Sequence, residues 1–113
     1  MNIRSMVLGP VETNVYFLIN EETDEAVLFD PAYAPETINS FAEKNGFKIT
    51  AIFLTHGHFD HIAGVEGVRK ASGAPVYASK REERLLSDGE LNESLQSYGR
   101  SITVKADHLL KDG

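Results

Sequence analysis

The sequence predicts an α/β (α+β) fold, and three observations predict it. Short runs of apolar and β-branched residues recur along the chain, among them Val15–Ile19, Ala26–Phe29 and Ala51–Leu54. Such runs, bounded by turn residues, read as strands. Apolar residues at helical spacing follow the third and fourth of the strands read here. Finally, His56-Gly57-His58-Phe59-Asp60-His61 leaves the end of the Ala51–Leu54 run. In α/β sheets, loops at the C-terminal ends of strands are where ligands bind.

At 113 residues the chain forms one domain at most, large enough for a single core. Its 42% hydrophobic and 25% charged residues suit a packed domain with a wetted surface. A net charge of −6 with no basic patch argues against nucleic acid as a partner. There is no cysteine, which excludes a disulfide framework and thiolate ligands. Met1 to Pro10 has no signal-peptide pattern, and no run approaches the roughly 20 apolar residues that cross a bilayer. The expectation is therefore a cytoplasmic protein with no membrane partner.

In chain order, Val7 to Pro10 ends a first strand at a turn. Val15–Ile19 is the second strand, and Ala26–Phe29 pairs back as the third after the charged connection 20–25. Asp30-Pro31 closes it. Pro35 suits a first helical turn. Ile38, Phe41 and Ala42 fall on one helical face, and Asn45-Gly46 stops the helix. A fourth strand lies within Phe47–Leu54. Ile62, Val65 and Val68 then mark a helix ending near Gly73, with its N-terminus toward the histidine cluster. Pro75–Ala78 is the next strand. Ser79 with Glu82 reads as a capping box that opens a helix through Leu86, stopped at Asp88-Gly89. Leu91, Leu95 and Tyr98 give a weaker helical signal, and Ile102–Val104 reads as a last strand. Tyr77 and Tyr98 read as packing residues. Asn92-Glu93-Ser94 matches a glycosylation acceptor, which carries no weight without a secretory signal.

The chemistry lies in the cluster. One histidine would be an ordinary surface or core residue. Three of the chain's four histidines within six positions, with an aspartate among them, are not explained that way. Imidazole and carboxylate together ligate zinc, iron or manganese. Gly57 lets the backbone bend so that His56 and His58 can turn to one point.

Thr55-His56-Gly57-His58-Phe59-Asp60-His61 resembles the T-H-x-H-x-D-H signature of the metallo-β-lactamase superfamily. The resemblance also covers Gly9 to Ile19 and Phe29-Asp30-Pro31, and is nearest to small hydrolases similar to glyoxalase II. Gly9, Thr13, Asn14 and Tyr16 resemble the opening of those hydrolases, although turn chemistry explains them equally well. The resemblance implies an αββα sandwich. This chain would supply its N-terminal half, one mixed β-sheet with helices on the outer face, so residues 1–113 would form a partial domain. It implies two metal ions, zinc by preference with iron or manganese also suited. His56 and His58 would hold the first, Asp60 and His61 the second. Asp60 would also act in catalysis, orienting the nucleophile or moving a proton. Asp30 would support the site without binding metal; as a residue it reads equally as a turn aspartate.

A complete family site has three further ligands: a third histidine for the first metal, a bridging aspartate and a last histidine. No turn of the expected kind carries them here. His108, the one remaining histidine, reads as a polar residue at a strand end. With two donors per metal, weak or partial metal binding is expected.

The implied function is metal-dependent hydrolysis of a thioester, ester or lactone, with a small molecule as substrate. The alternatives are a mononuclear iron persulfide dioxygenase, which shares the motif, and a half-domain without catalysis that self-associates. Nuclease members of the family fit the acidic charge poorly. The strands carrying Leu18, Val27, Leu28, Ile52, Phe53 and Leu54 would be covered on both faces in a full sandwich. The sequence therefore predicts a homo-oligomer joined through the exposed sheet face.

Overall fold

The structure, a computed structural model, describes residues 2–9, 13–55, 62–88, 92, 94 and 102–110. Six strands form one sheet whose spatial order follows the chain: β1 (Asn2–Leu8), β2 (Thr13–Asn20), β3 (Glu25–Phe29), β4 (Lys48–Leu54), β5 (Val76–Ser79) and β6 (His108–Leu110). The first three pair antiparallel, and β3 through β6 pair parallel. The chemistry of the connections explains the switch. The four-residue link between β2 and β3 is a tight turn with Asp24 at φ 58°, which allows a hairpin. Parallel neighbours need a longer crossover. That role falls to α1 (Pro35–Asn45) between β3 and β4, and to α2 (Val65–Ser72) between β4 and β5.

Both helices cover the same face. Val15, Phe17 and Ile19 alternate along β2 and are buried, with Tyr16 turned to the other side. This is the two-residue period of a strand buried on one face. The Phe17 ring lies 5.0 Å from that of Phe41 on α1 and 5.6 Å from that of Phe47. Leu28, Ile38, Ile52, Val65, Val68 and Val76 complete the centre of the core. Fully burying such a side chain stabilises the fold by about 1.5–3 kcal/mol.

The helix ends follow the sequence signals. Pro35 opens α1, and Gly46 at φ 74° closes it with its N–H on the last carbonyls. Gly73 at φ 71° does the same for α2. Gly67, inside α2, has a different reason. A Cβ there would lie 2.4 Å from Cγ of Pro35, so glycine lets the two helices touch.

Three expectations are corrected. The last strand is not Ile102–Val104 but His108–Leu110. The Ile102 carbonyl accepts from Asn92 Nδ2 at 2.8 Å, and its N–H donates to Ser94 Oγ at 2.7 Å. Val104 donates to the Leu86 carbonyl. Backbone groups so engaged cannot form a ladder, which begins only where Asp107 N–H reaches the Val76 carbonyl. Second, Ser79 does not form the full capping box. Its Oγ accepts from Arg81 N–H, and a 3₁₀ turn (Lys80–Glu82) precedes the short α3 (Glu83–Leu86). Third, Leu28, Ile52 and Leu54 lie under the helices, so only Leu18, Val27 and Phe53 of the six side chains expected at an open face are partly exposed. Asn92 and Ser94 are fully buried, which excludes the acceptor motif as a glycosylation site in this fold. Leu91, Leu95, Tyr98 and Gly89 lie outside the described residues. No helix among the described residues is long and apolar enough to cross a membrane.

Candidate metal site

His56, His58, Asp60 and His61 lie outside the described residues. What the structure describes is the frame on both sides of them. The loop leaves β4 at the C-terminal end of a parallel strand, as its sequence position requires. Its first anchor is Thr55. The Thr55 N–H donates to Asp30 Oδ1 at 2.7 Å, and the Thr55 hydroxyl donates to Asp30 Oδ2. Asp30 in turn donates its own N–H to the Phe53 carbonyl at 2.9 Å. The second anchor is Gly64, whose N–H donates to the Pro31 carbonyl at 2.8 Å. Thr55 and Gly64, on either side of residues 56–61, are thus both tied to one dipeptide, Asp30-Pro31, at the exit of β3.

The local chemistry explains why these residues stand there. Asp30 is buried and sits at φ 52°, a left-handed conformation that aspartate tolerates better than most residues. From the end of β3 its carboxylate reaches Thr55 at the end of the neighbouring β4. Both carboxylate oxygens accept from Thr55, and hydrogen bonds to a charged acceptor are about twice as strong as neutral ones. Gly64 has ordinary backbone angles, φ −96° and ψ −2°, so its glycine is not needed for conformation. A Cβ would lie 2.8 Å from the Pro31 carbonyl oxygen and 3.3 Å from the Tyr33 N and O atoms. Close backbone approach is the reason. Ile62, just before α2, is buried in the core.

Asp30 thus holds Thr55 through both carboxylate oxygens, at the end of β4. Gly64 and Gly67 were not singled out by sequence reasoning. Their signal was available, since an isolated glycine within a helical repeat usually has a packing reason. His108 is the first residue of β6, exposed, with its ring stacked 4.7 Å from that of Tyr77. This matches a polar residue at a strand end. Among the described residues, no group of three or more His, Asp or Glu side chains could hold a metal ion. By residue type, the three imidazoles and one carboxylate of His56, His58, Asp60 and His61 suit zinc, iron or manganese.

Comparison with known proteins bears on that frame. The family model described as the metallo-beta-lactamase superfamily matches residues 8–111. A probable metallo-hydrolase of Bacillus subtilis, YqgX, is 40% identical over 112 residues, covering 98% of this chain and 52% of its own. The hydroxyacylglutathione hydrolase of Bdellovibrio bacteriovorus is 39% identical over 72 residues, covering 64% of this chain and 28% of its own. The crystal structure of BLEG-1 B3 metallo-beta-lactamase superposes with a TM-score of 0.90 at 40% identity, over 99% of this chain and 54% of that one. TTHA1623 in a di-iron-bound form superposes with a TM-score of 0.77 at 27% identity, over 95% and 54%. The chain spans about half the length of YqgX and of both superposed structures.

Proposed function

This chain belongs to the metallo-beta-lactamase superfamily, and on that premise we propose that it supplies the metal-binding half of a hydrolase acting on a thioester, ester or lactone carbonyl. The observation that carries the reading is that Thr55 and Gly64, the residues flanking the His56–His61 motif, are both hydrogen-bonded to Asp30-Pro31. His56 and His58 would hold one metal, Asp60 and His61 a second. Zinc is the metal proposed, and iron or manganese suits the same donors. When bound, such a metal would lower the pKa of water to about 7 and polarise a carbonyl oxygen. The chain's own residues do the rest. Thr55 and Asp30 hold the loop in register with the strand ends, and Asp60 orients the attacking water or carries its proton.

Similarity to a hydroxyacylglutathione hydrolase supports a thioester within the three substrate classes. The site would be complete only with further ligands of the kind the family uses, so the activity is proposed for the assembled site. The test is initial rates of the zinc-loaded protein on a glutathione thioester, a lactone and a β-lactam. Thioester hydrolysis that falls at least about a hundredfold in His58→Ala supports the reading, since even outer-shell changes at metal sites cost 10–100-fold. A β-lactam turned over faster than the thioester would reassign the substrate. One iron per chain, with oxygen uptake on a persulfide, would assign the dioxygenase chemistry instead.

A further inference from the structure

Three segments of the chain meet at Tyr33. It lies in the link between β3 and α1, directly after the buried residues Asp30, Pro31 and Ala32. A Cβ on Gly64, the residue before α2, would lie 3.3 Å from both the backbone N and the backbone O of Tyr33. Gly64 stands three positions past His61 in the sequence. A Cβ on Gly9, just past β1, would lie 3.3 Å from the Cβ of Tyr33 and 3.7 Å from its Cγ. Leu8 pairs with Thr13, and Tyr16 with Phe29, so β1 ends at the same end of the sheet as β3 and β4. From that end the chain runs on from β4 into the His56–His61 motif. In α/β sheets it is also the end at which ligands bind.

The backbone around Tyr33 is held in place. Asp30 at φ 52° and Ala34 at φ 48° bracket it in left-handed conformation, and Ala34 has no polar side chain to favour that state. Such residues persist only where their surroundings hold them, and they cluster at ligand sites. Here the hold comes from the Gly64 N–H on the Pro31 carbonyl and from the close approach of Gly67 to Pro35. Tyr33 emerges between these ties 43% exposed. It stands by the N-terminal ends of α1 and α2, on the helix side of the sheet, not on the face that a second sheet would cover.

We propose that Tyr33 is a specificity-determining residue, its ring a wall beside the metal motif against which the apolar part of the substrate's acyl group packs. Small-molecule sites are lined mainly by apolar and aromatic side chains, with a few polar groups to orient the ligand. The motif would supply the polar groups. A ring on backbone already ordered gives contact area at little further cost in conformational freedom. For the class of ligand, a thioester, the inference rests on the hydrolase reading.

The test measures binding, not turnover. The probes are the S-benzyl and S-methyl thioethers of glutathione, which lack the carbonyl and are not hydrolysed, titrated calorimetrically into the zinc-loaded protein. Tyr33→Ala should weaken the benzyl thioether at least about tenfold, the loss expected when one apolar contact of this size is removed. The methyl thioether should bind as before. Tyr33→Phe, which keeps the ring, should bind both as the unsubstituted protein does. The chain has no tryptophan, so Tyr33→Trp carries its one indole without losing the ring, and its emission should change when the benzyl thioether binds. Equal weakening of both thioethers in Tyr33→Ala overturns the proposal. So does an indole in Tyr33→Trp that does not respond, or an unsubstituted protein that does not bind the benzyl thioether. These binding results without thioester turnover would uphold the role of Tyr33 and fail the hydrolase reading alone.

Discussion

Replacing Asp30 with alanine should cost the fold about 2–4 kcal/mol, read as a lower urea midpoint. The carboxylate is buried and accepts both the N–H and the hydroxyl of Thr55. Hydrogen bonds to a charged group contribute about 1.5–3 kcal/mol, and removing the acceptor leaves a part-buried N–H unsatisfied. Alanine also fits the left-handed backbone at φ 52° less well, by about 1 kcal/mol. Zinc affinity should fall 10–100-fold, the usual effect of losing a partner that orients a metal-bearing loop. Asp30→Asn is the control. It keeps the tolerance for this backbone and one acceptor oxygen, so it should lose less than alanine does. Equal losses would mean that charge alone matters, and an unchanged midpoint in Asp30→Ala would remove the anchor from the account.

Gly64→Ala should be nearly as damaging, at about 2–3 kcal/mol, within the range for overpacking a filled site. Its new methyl would meet the Pro31 carbonyl oxygen at 2.8 Å, and both are backbone positions that cannot swing aside. The Gly64 N–H to Pro31 bond would lengthen, and the far end of the loop would lose its anchor. Gly73→Ala provides the comparison. A Cβ there meets nothing within 4 Å, and only the backbone strain at φ 71° opposes it, about 1 kcal/mol. A Gly64→Ala midpoint no lower than that of Gly73→Ala would show that the β3 exit yields.

These two positions show what could be read from sequence. Where local chemistry decides, the residues announced their structure. Pro35 and Gly46 bound α1, and the alternation of Val15, Phe17 and Ile19 gave β2 its buried face. The hold of Asp30 on Thr55 was not legible in sequence, because Asp-Pro by itself is also an ordinary turn. Where distant partners decide, sequence was silent or misleading. Ile102–Val104 has strand propensity, but Asn92, Ser94 and Leu86 take its backbone groups. Gly64 and Gly67 are explained only by chain segments about 30 residues away, Pro31 and Pro35.

The central claim is that the loop between Thr55 and Ile62 binds metal through its histidines and aspartate. Calorimetric titration of the chain with zinc tests it most directly, alongside the variant in which His56 and His58 are both alanine. The account expects binding that is weak or partial in the chain and abolished, or lowered at least about a hundredfold, in the variant. Absence of zinc binding by the chain, or binding that the double variant leaves intact, would contradict it.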